Sequence, residues 1–237
     1  MQTIKKLKIS IYSGILLCSV LFCSCVATNN MYVNDPKPLQ KGDADICVGV
    51  GTGLGVVLDS SLSGNTYNTA IKTQYAPVLS FNGQFGVGER FNLRAAVHLP
   101  YILGGIGLRF GAQYSLFGPE SRFNAAIGSD LGLVFTRDSL WIIDIESDSR
   151  GIYNIDVFLP LSYSFTEDFS IILTPRYSVD WVSVDDIHDK DKSSIFYSHF
   201  PVLTLGIKIK DFYLESSALY NDDMIYPHFG LGFIFEM

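Results

Sequence analysis

From Phe169 to Trp181 the chain alternates, with Ile172 and Pro175 as exceptions, between two kinds of side chain. Phe169, Ile171, Leu173, Tyr177, Val179 and Trp181 are apolar or aromatic, and Ser170, Thr174, Arg176, Ser178 and Asp180 fall between them. A period of two predicts a strand with one apolar face. The same pattern recurs throughout the chain beyond residue 45. It predicts ten strands, at roughly 46–58, 73–86, 91–99, 105–117, 122–136, 152–165, 168–182, 195–209, 211–220 and 226–237, with eight as the nearest alternative count. An apolar stripe about ten residues long, opposite a stripe of small polar residues, suits a wall between lipid and a wet lumen. The expected fold is therefore all-β, an antiparallel up-and-down transmembrane β-barrel over residues 45–237.

The connections carry an independent signal. Gly86-Val87-Gly88-Glu89-Arg90, Gly118-Pro119-Glu120-Ser121, Thr166-Glu167-Asp168 and Lys210-Asp211 are tight, whereas 59–72, 137–151 and 183–194 are long. Tight turns on one rim and long loops on the other are expected when one rim faces the periplasm and the other the exterior. An even strand count places both barrel termini on the tight-turn side, which makes that side periplasmic.

Alternation alone also describes a water-soluble barrel, so the polar face decides between them. A solvated exterior carries many lysines and glutamates. Here the polar phase reads Gly49, Gly51, Gly53 and Gly55, then Gln74, Ser80, Asn82 and Gln84, which suits a cramped lumen. The apolar phase places Tyr75, Phe85, Phe123, Phe135, Phe165, Phe169, Trp181, Phe212 and Tyr220 near strand ends. Such rings form the aromatic girdle of a membrane barrel.

The N-terminus begins with Lys5, Lys6 and Lys8, continues apolar from Ile9 to Phe22, and ends in the small residues Cys23 and Ser24. This is the layout of a secretory signal, too short to span a bilayer as a helix. Leu21-Phe22-Cys23-Ser24-Cys25 resembles the bacterial lipobox, although Phe22 stands where that motif usually carries an aliphatic residue. The resemblance implies a signal peptide at 1–24 and lipidation of Cys25. Residues 25–44 are polar and contain Pro36 and Pro38, as expected of an extended periplasmic tether.

Charged residues make up only 17% of the chain, and the formal charge is −7 before three lysines leave with the signal. An acidic mature chain argues against a nucleic-acid binder. Of the four cysteines only Cys47 falls in the barrel, so the sequence offers neither a disulfide framework nor a cysteine metal site. No cofactor is implied.

Placing the polar phase inward puts Arg94, Arg109, Arg176 and Lys208 in the lumen with Asp130, Asp156, Asp180 and Glu215. Buried charges must be paired or hydrated, so these eight are expected to form a salt-bridged network that fills the interior or lines a narrow path. A ten-stranded barrel is too small for a wide pore. His98, His188, His199 and His228 lie on separate elements without metal-ligand spacing. The acidic run Asp185 to Asp191 lacks the spaced oxygens and central glycine of a calcium loop.

The last strand, with Phe229, Leu231, Phe233, Phe235 and Met237 on one face, resembles the C-terminal signal by which outer-membrane barrels are recognised for assembly, although Met237 replaces the usual terminal aromatic. Together with the lipobox, this is the pattern of a small bacterial outer-membrane β-barrel protein with a lipoprotein-type signal peptide. The resemblance implies a non-enzymatic structural or surface-interaction role, or at most a narrow channel for small solutes. It implies two partners, outer-membrane lipid and the barrel assembly machinery. Two rivals carry different expectations: a periplasmic soluble barrel lipoprotein binding an apolar ligand, and a lipid-modifying enzyme using His98, His199 or His228.

Overall fold

The computed structural model describes residues 26–29, 33–63, 66–100, 105–136, 149–185, 193–221 and 224–237. Among them all regular structure is strand: β1 (Val26–Asn29), β2 (Ala44–Ser63), β3 (Thr66–Gly86), β4 (Phe91–Pro100), β5 (Gly105–Ser115), β6 (Phe123–Thr136), β7 (Ser149–Phe158), β8 (Leu161–Thr166), β9 (Phe169–Asp185), β10 (Ser193–Ile209), β11 (Phe212–Asn221) and β12 (Met224–Glu236). Every ladder is antiparallel and neighbours in sequence pair in space, until β12 returns to β2. Strands β7 and β8 are successive halves of one wall strand between β6 and β9. The result is a closed barrel of ten wall strands, as the alternation predicts.

The break between β7 and β8 has a local cause. Pro160 has no N–H to donate to a ladder. Its carbonyl still accepts from Ala126 N–H at 3.0 Å, and Leu159 N–H donates to the Pro175 carbonyl at 3.0 Å, so the wall stays continuous.

Of the expected first loop, 59–72, the described residues 59–63 and 66–72 are instead strand: β2 and β3 pair without interruption from Ala44↔Phe85 to Ser63↔Thr66. Asp59 to Ser61 and Tyr67 to Thr69 lack an apolar face, so they look like loop in sequence, yet pairing needs only backbone. On the opposite rim the turns are tight. Lys210 takes a left-handed φ of 50° in the two-residue β10–β11 connection, and its N–H donates to Asp168 O at 2.7 Å.

Closure is shorter than the strands allow. The β2–β12 ladder runs from Asp45↔Glu236 only to Gly51↔Gly230. Beyond it the Thr52 hydroxyl accepts from Phe229 N–H at 3.0 Å and lies 3.4 Å from the Phe229 carbonyl. Two residues further along that edge, Pro227 presents no N–H. The freed edge of β2 is taken by β1, with Val26↔Val56 and Ala27↔Gly55. Strand β1 also approaches β5 and β6 on the far side of the barrel, so it lies in the lumen.

Burial follows the pleat. On β9, Ser170, Ile172, Thr174, Arg176, Ser178 and Asp180 are buried, while Leu173 and Tyr177 are exposed. Around the wall the outward positions carry Val50, Phe81, Leu93, Phe110, Leu131, Val157, Leu203, Leu205, Leu231 and Phe233, all exposed. A continuous apolar belt of this size is far beyond the patches that water-soluble monomers expose. Lipid solvates it without cost, and a closed barrel leaves no backbone edge to satisfy there.

Candidate functional site: the occupied lumen

The middle of the lumen is a charge network assembled across β4 to β9. Asp130 on β6 and Asp156 on β7 are direct register partners, and both side chains are buried. Like charges placed opposite each other are unfavourable unless compensated. Arg94 Nε lies 3.7 Å from Asp130 Oδ1. Arg109 donates through Nη1 to Asp156 Oδ2, and Arg176 Nη1 lies 3.7 Å from the same oxygen. Ser178 donates its hydroxyl proton to Asp156 Oδ1, and Asn154 Nδ2 donates to Asp180 Oδ1. On the adjoining strands β3 and β4, Ser80 Oγ and His98 Nδ1 are hydrogen-bonded at 3.0 Å.

Glycines make room for this network. Gly132 separates Arg109 from Asn154 in the ladder, and a Cβ there would meet Asn154 at 3.1 Å. The ring of Phe158 lies over Gly128, where a Cβ would collide with it, and the Arg94 guanidinium sits 4.2 Å from that ring's centroid. Cation–π contact of this kind offsets part of the desolvation of a buried arginine.

Toward the tight-turn rim the protein's own N-terminal segment packs into the lumen, against β3, β4 and β5. Val33 O accepts from Gln84 Nε2 at 3.2 Å and from Arg94 Nη2 at 3.5 Å. Asn34 Oδ1 accepts from Arg94 Nη2 at 2.7 Å, and Asp35 O from Gln113 Nε2 at 2.7 Å. Pro36 O accepts from Ser115 Oγ at 2.7 Å, and Lys37 O from Asn92 Nδ2 at 3.4 Å. Leu39 N–H then donates to Asn92 Oδ1 at 3.2 Å. The segment turns into β2 through Gly42, whose φ of 101° suits glycine, and Gly42 N–H donates to Gly86 O at 2.9 Å. Gly86 is itself required, because a Cβ there would strike the Gln40 carbonyl.

The described part of the expected 25–44 tether is thus packed inside the barrel rather than extended away from it. Its composition is that of a linker; the donors that hold it come from three wall strands and are not visible in the segment itself.

The lumen is also less uniformly polar than its sequence phase suggests. Val33 sits in an apolar seat formed by Cys47, Ile172, Tyr213 and Ile234. Farther up, Phe200, Val202 and Leu219 form a second inward cluster with Tyr226 packed on it.

The eight charged residues expected in the lumen all project from inward positions, but the structure divides them. Arg94, Arg109, Asp130, Asp156, Arg176 and Asp180 belong to the mid-lumen network. Lys208 stands near the rim, 3.6 Å from Asp35 and 3.4 Å from Glu236. Glu215 accepts from Tyr213 Oη and Ser217 Oγ, each at 3.3 Å.

Of the expected girdle, Phe85, Phe123, Phe165, Phe212 and Tyr220 are exposed on the outer face, and Phe169 and Trp181 are half-buried there by neighbouring rings. Phe165 stacks on Phe169 at 5.3 Å, Tyr153 on Trp181 at 5.7 Å, and Phe212 contacts Phe233 at 4.1 Å. The side chains of Tyr75 and Phe135 lie outside the described residues, as do Cys25, His188 and most of the acidic run. The remaining histidines are not brought together. His98 is buried in the lumen, His199 faces outward against Tyr177, and His228 bonds the Thr52 carbonyl at 3.1 Å.

Sequence reading missed the contacts of Asn34, Asn92, Gln113 and Ser115. The available signal was the inward run of amides and hydroxyls at the rim ends of β3, β4 and β5, where Gln84, Asn92, Gln113 and Ser115 cluster. Their shared target became evident only with the segment in place. Between the segment and the wall near Asn82 only a cavity of about 10 Å³ remains. On the opposite side, toward Ser164 and Ser170, a polar cavity of about 610 Å³ opens at the rim.

A closed ten-strand wall, an apolar exterior ringed by aromatics and a lumen of paired charges define a membrane-spanning β-barrel. Solved structures similar to it in fold are bacterial outer-membrane barrels. OprG of Pseudomonas aeruginosa aligns over 86% of this chain and 99% of its own at 12% identity, with a TM-score of 0.43. The N-terminal barrel domain of OprF from the same organism aligns over 84% of this chain and 100% of its own at 9% identity and a TM-score of 0.34. Ail, the attachment invasion locus protein of Yersinia pestis, solved with the heparin analogue sucrose octasulfate, aligns over 83% and 100% at 12% identity and 0.35. No protein-family model matches the chain, and no curated protein matches it in sequence.

Proposed function

We propose that the protein is a lipid-anchored outer-membrane barrel with a structural or surface-interaction role and no catalysis. In this reading residues 1–24 direct export, the tight-turn rim is periplasmic, the terminal strand from Phe229 to Met237 engages the barrel assembly machinery, and Cys25 carries the lipid in a state in which β1 has left its place beside Gly55 and Val56 in the lumen. The observation that carries it is the obstructed lumen. A barrel built for bulk diffusion keeps its interior open, whereas here charges pair across the middle and the chain's own segment occupies the rim end.

Reconstitution into liposomes tests this role: swelling in small sugars should not exceed that of empty vesicles. Uptake at porin-like rates would overturn it. For the anchor, Cys25→Ala should abolish incorporation of labelled fatty acid while the barrel stays in carbonate-washed membranes and keeps heat-modifiable migration. Release of the variant into the soluble fraction would favour the soluble rival.

A second reading, a narrow path for small cations, is favoured by the rim cavity. Its lining carries Asp35, Asp43, Asp45, Glu120, Glu167, Asp168 and Glu236 against Lys37 and Lys208. Potassium flux without sugar flux would support that path.

A further inference from the structure

The way the N-terminal segment is held differs from the way a strand is held. Its carbonyls at Val33, Asp35, Pro36 and Lys37 are met by side-chain donors, Gln84, Gln113, Ser115 and Asn92, rather than by a backbone ladder. Arg94 joins the set by donating to both Val33 O and Asn34 Oδ1 while its Nη1 bonds Gln113 Oε1 at 3.1 Å. Side chains aimed at successive carbonyls are how a groove reads a peptide without regular secondary structure.

The two prolines complete the match. Pro36 is fully buried and Pro38 is buried too. At both positions proline brings no backbone N–H that would need an acceptor, and a buried donor without one is costly. The register is fixed at two further points: Val33 enters the apolar seat of Cys47, Ile172, Tyr213 and Ile234, and Asp35 pairs with Lys208.

We propose that the lumen wall on β3, β4 and β5 is a binding site for a proline-containing peptide without regular secondary structure, filled in cis by Val33 to Leu39, which bends at Lys37 where its N–H donates to Asp35 Oδ1 at 3.0 Å, and able to take the same kind of peptide in trans when that segment is withdrawn. The proposal concerns recognition and is independent of whether the barrel conducts.

The test uses the full chain with residues 33–39 replaced by Gly and Ser at equal length, checked for folding by heat-modifiable migration. A fluorescent synthetic peptide spanning residues 33–40 should bind this variant in detergent, measured by anisotropy, and should not bind the unaltered chain. Adding Arg94→Ala and Gln113→Ala to the linker variant should weaken binding at least about tenfold, as should Pro36→Ala in the peptide. A folded linker variant that ignores the peptide, or binds it equally without Arg94 and Gln113, would overturn the site.

A second measurement does not depend on the linker variant folding. In the otherwise unaltered chain, a protease that cuts before aspartate should spare the bond preceding Asp35 and cleave it once Arg94→Ala and Gln113→Ala are introduced. Equal cleavage in both forms would refute the proposed holding contacts.

Discussion

Asp130 and Asp156 face each other across the β6–β7 ladder, two buried carboxylates in directly opposed positions. Three arginines make this arrangement tenable, Arg94 beside Asp130 and Arg109 with Arg176 at Asp156. The network follows one arc of the wall, where these strands lie side by side. Its members are interdependent, since removing one charge leaves another buried without compensation.

Arg109→Ala should therefore destabilise the barrel by about 3–5 kcal/mol, the usual cost of stranding a buried charge. Urea unfolding from lipid vesicles measures this. Combined with Asp156→Asn, the loss should fall short of the sum of the two single losses by about 0.5–3 kcal/mol. Strict additivity would show that the two groups act separately.

Gly128→Ala should cost about 1–3 kcal/mol through overpacking, because the added methyl runs into the Phe158 ring. Phe158→Leu in the same chain should recover part of that loss in the same unfolding assay, the remainder being the approach of the added methyl to the Ala112 carbonyl. Without such recovery, the ring over Gly128 is not the obstacle.

Leu131 lies on the outer face at 60% exposure. If lipid covers that face, Leu131→Arg should destabilise the vesicle-embedded barrel by about 2–4 kcal/mol at mid-depth. A change within about 0.5 kcal/mol, typical of a water-facing position, would speak for the soluble rival.

Lys210 holds a left-handed φ of 50° in its turn, while its contribution to the neighbouring strand comes from the backbone N–H bonded to Asp168 O. Lys210→Gly keeps that bond and relieves the side-chain strain, though it adds freedom to the unfolded chain. The expected balance is a change of no more than about 1 kcal/mol, whereas Lys210→Pro should be far more damaging because it deletes the donor. Thermal shifts of the two variants in detergent would separate the turn's conformation from its hydrogen bond.

The wall was legible in the sequence because a strand's side chains alternate with a fixed period. Ser170 to Asp180 and Phe169 to Trp181 therefore declare their two faces without any knowledge of neighbours. Tight turns and an even strand count supplied the closed barrel, and the inward phase supplied the eight charged residues. The pairing of 59–63 with 66–70 was not legible, because polar residues on both faces of a paired strand look the same as loop.

Partnership was decided only by the tertiary structure. Nothing local says that Arg109 reaches past Gly132 to Asp156, since register and barrel closure set that distance. Nor does the polar, proline-containing stretch from Val33 to Leu39 announce itself as anything but linker. Its carbonyls become ligands only when Gln84, Asn92, Gln113 and Ser115, distant in sequence, converge at one rim. Alternation is a property of each strand alone and can be read along the chain; hydrogen-bond pairing across a lumen is a property of the closed wall and exists only once the strands are assembled.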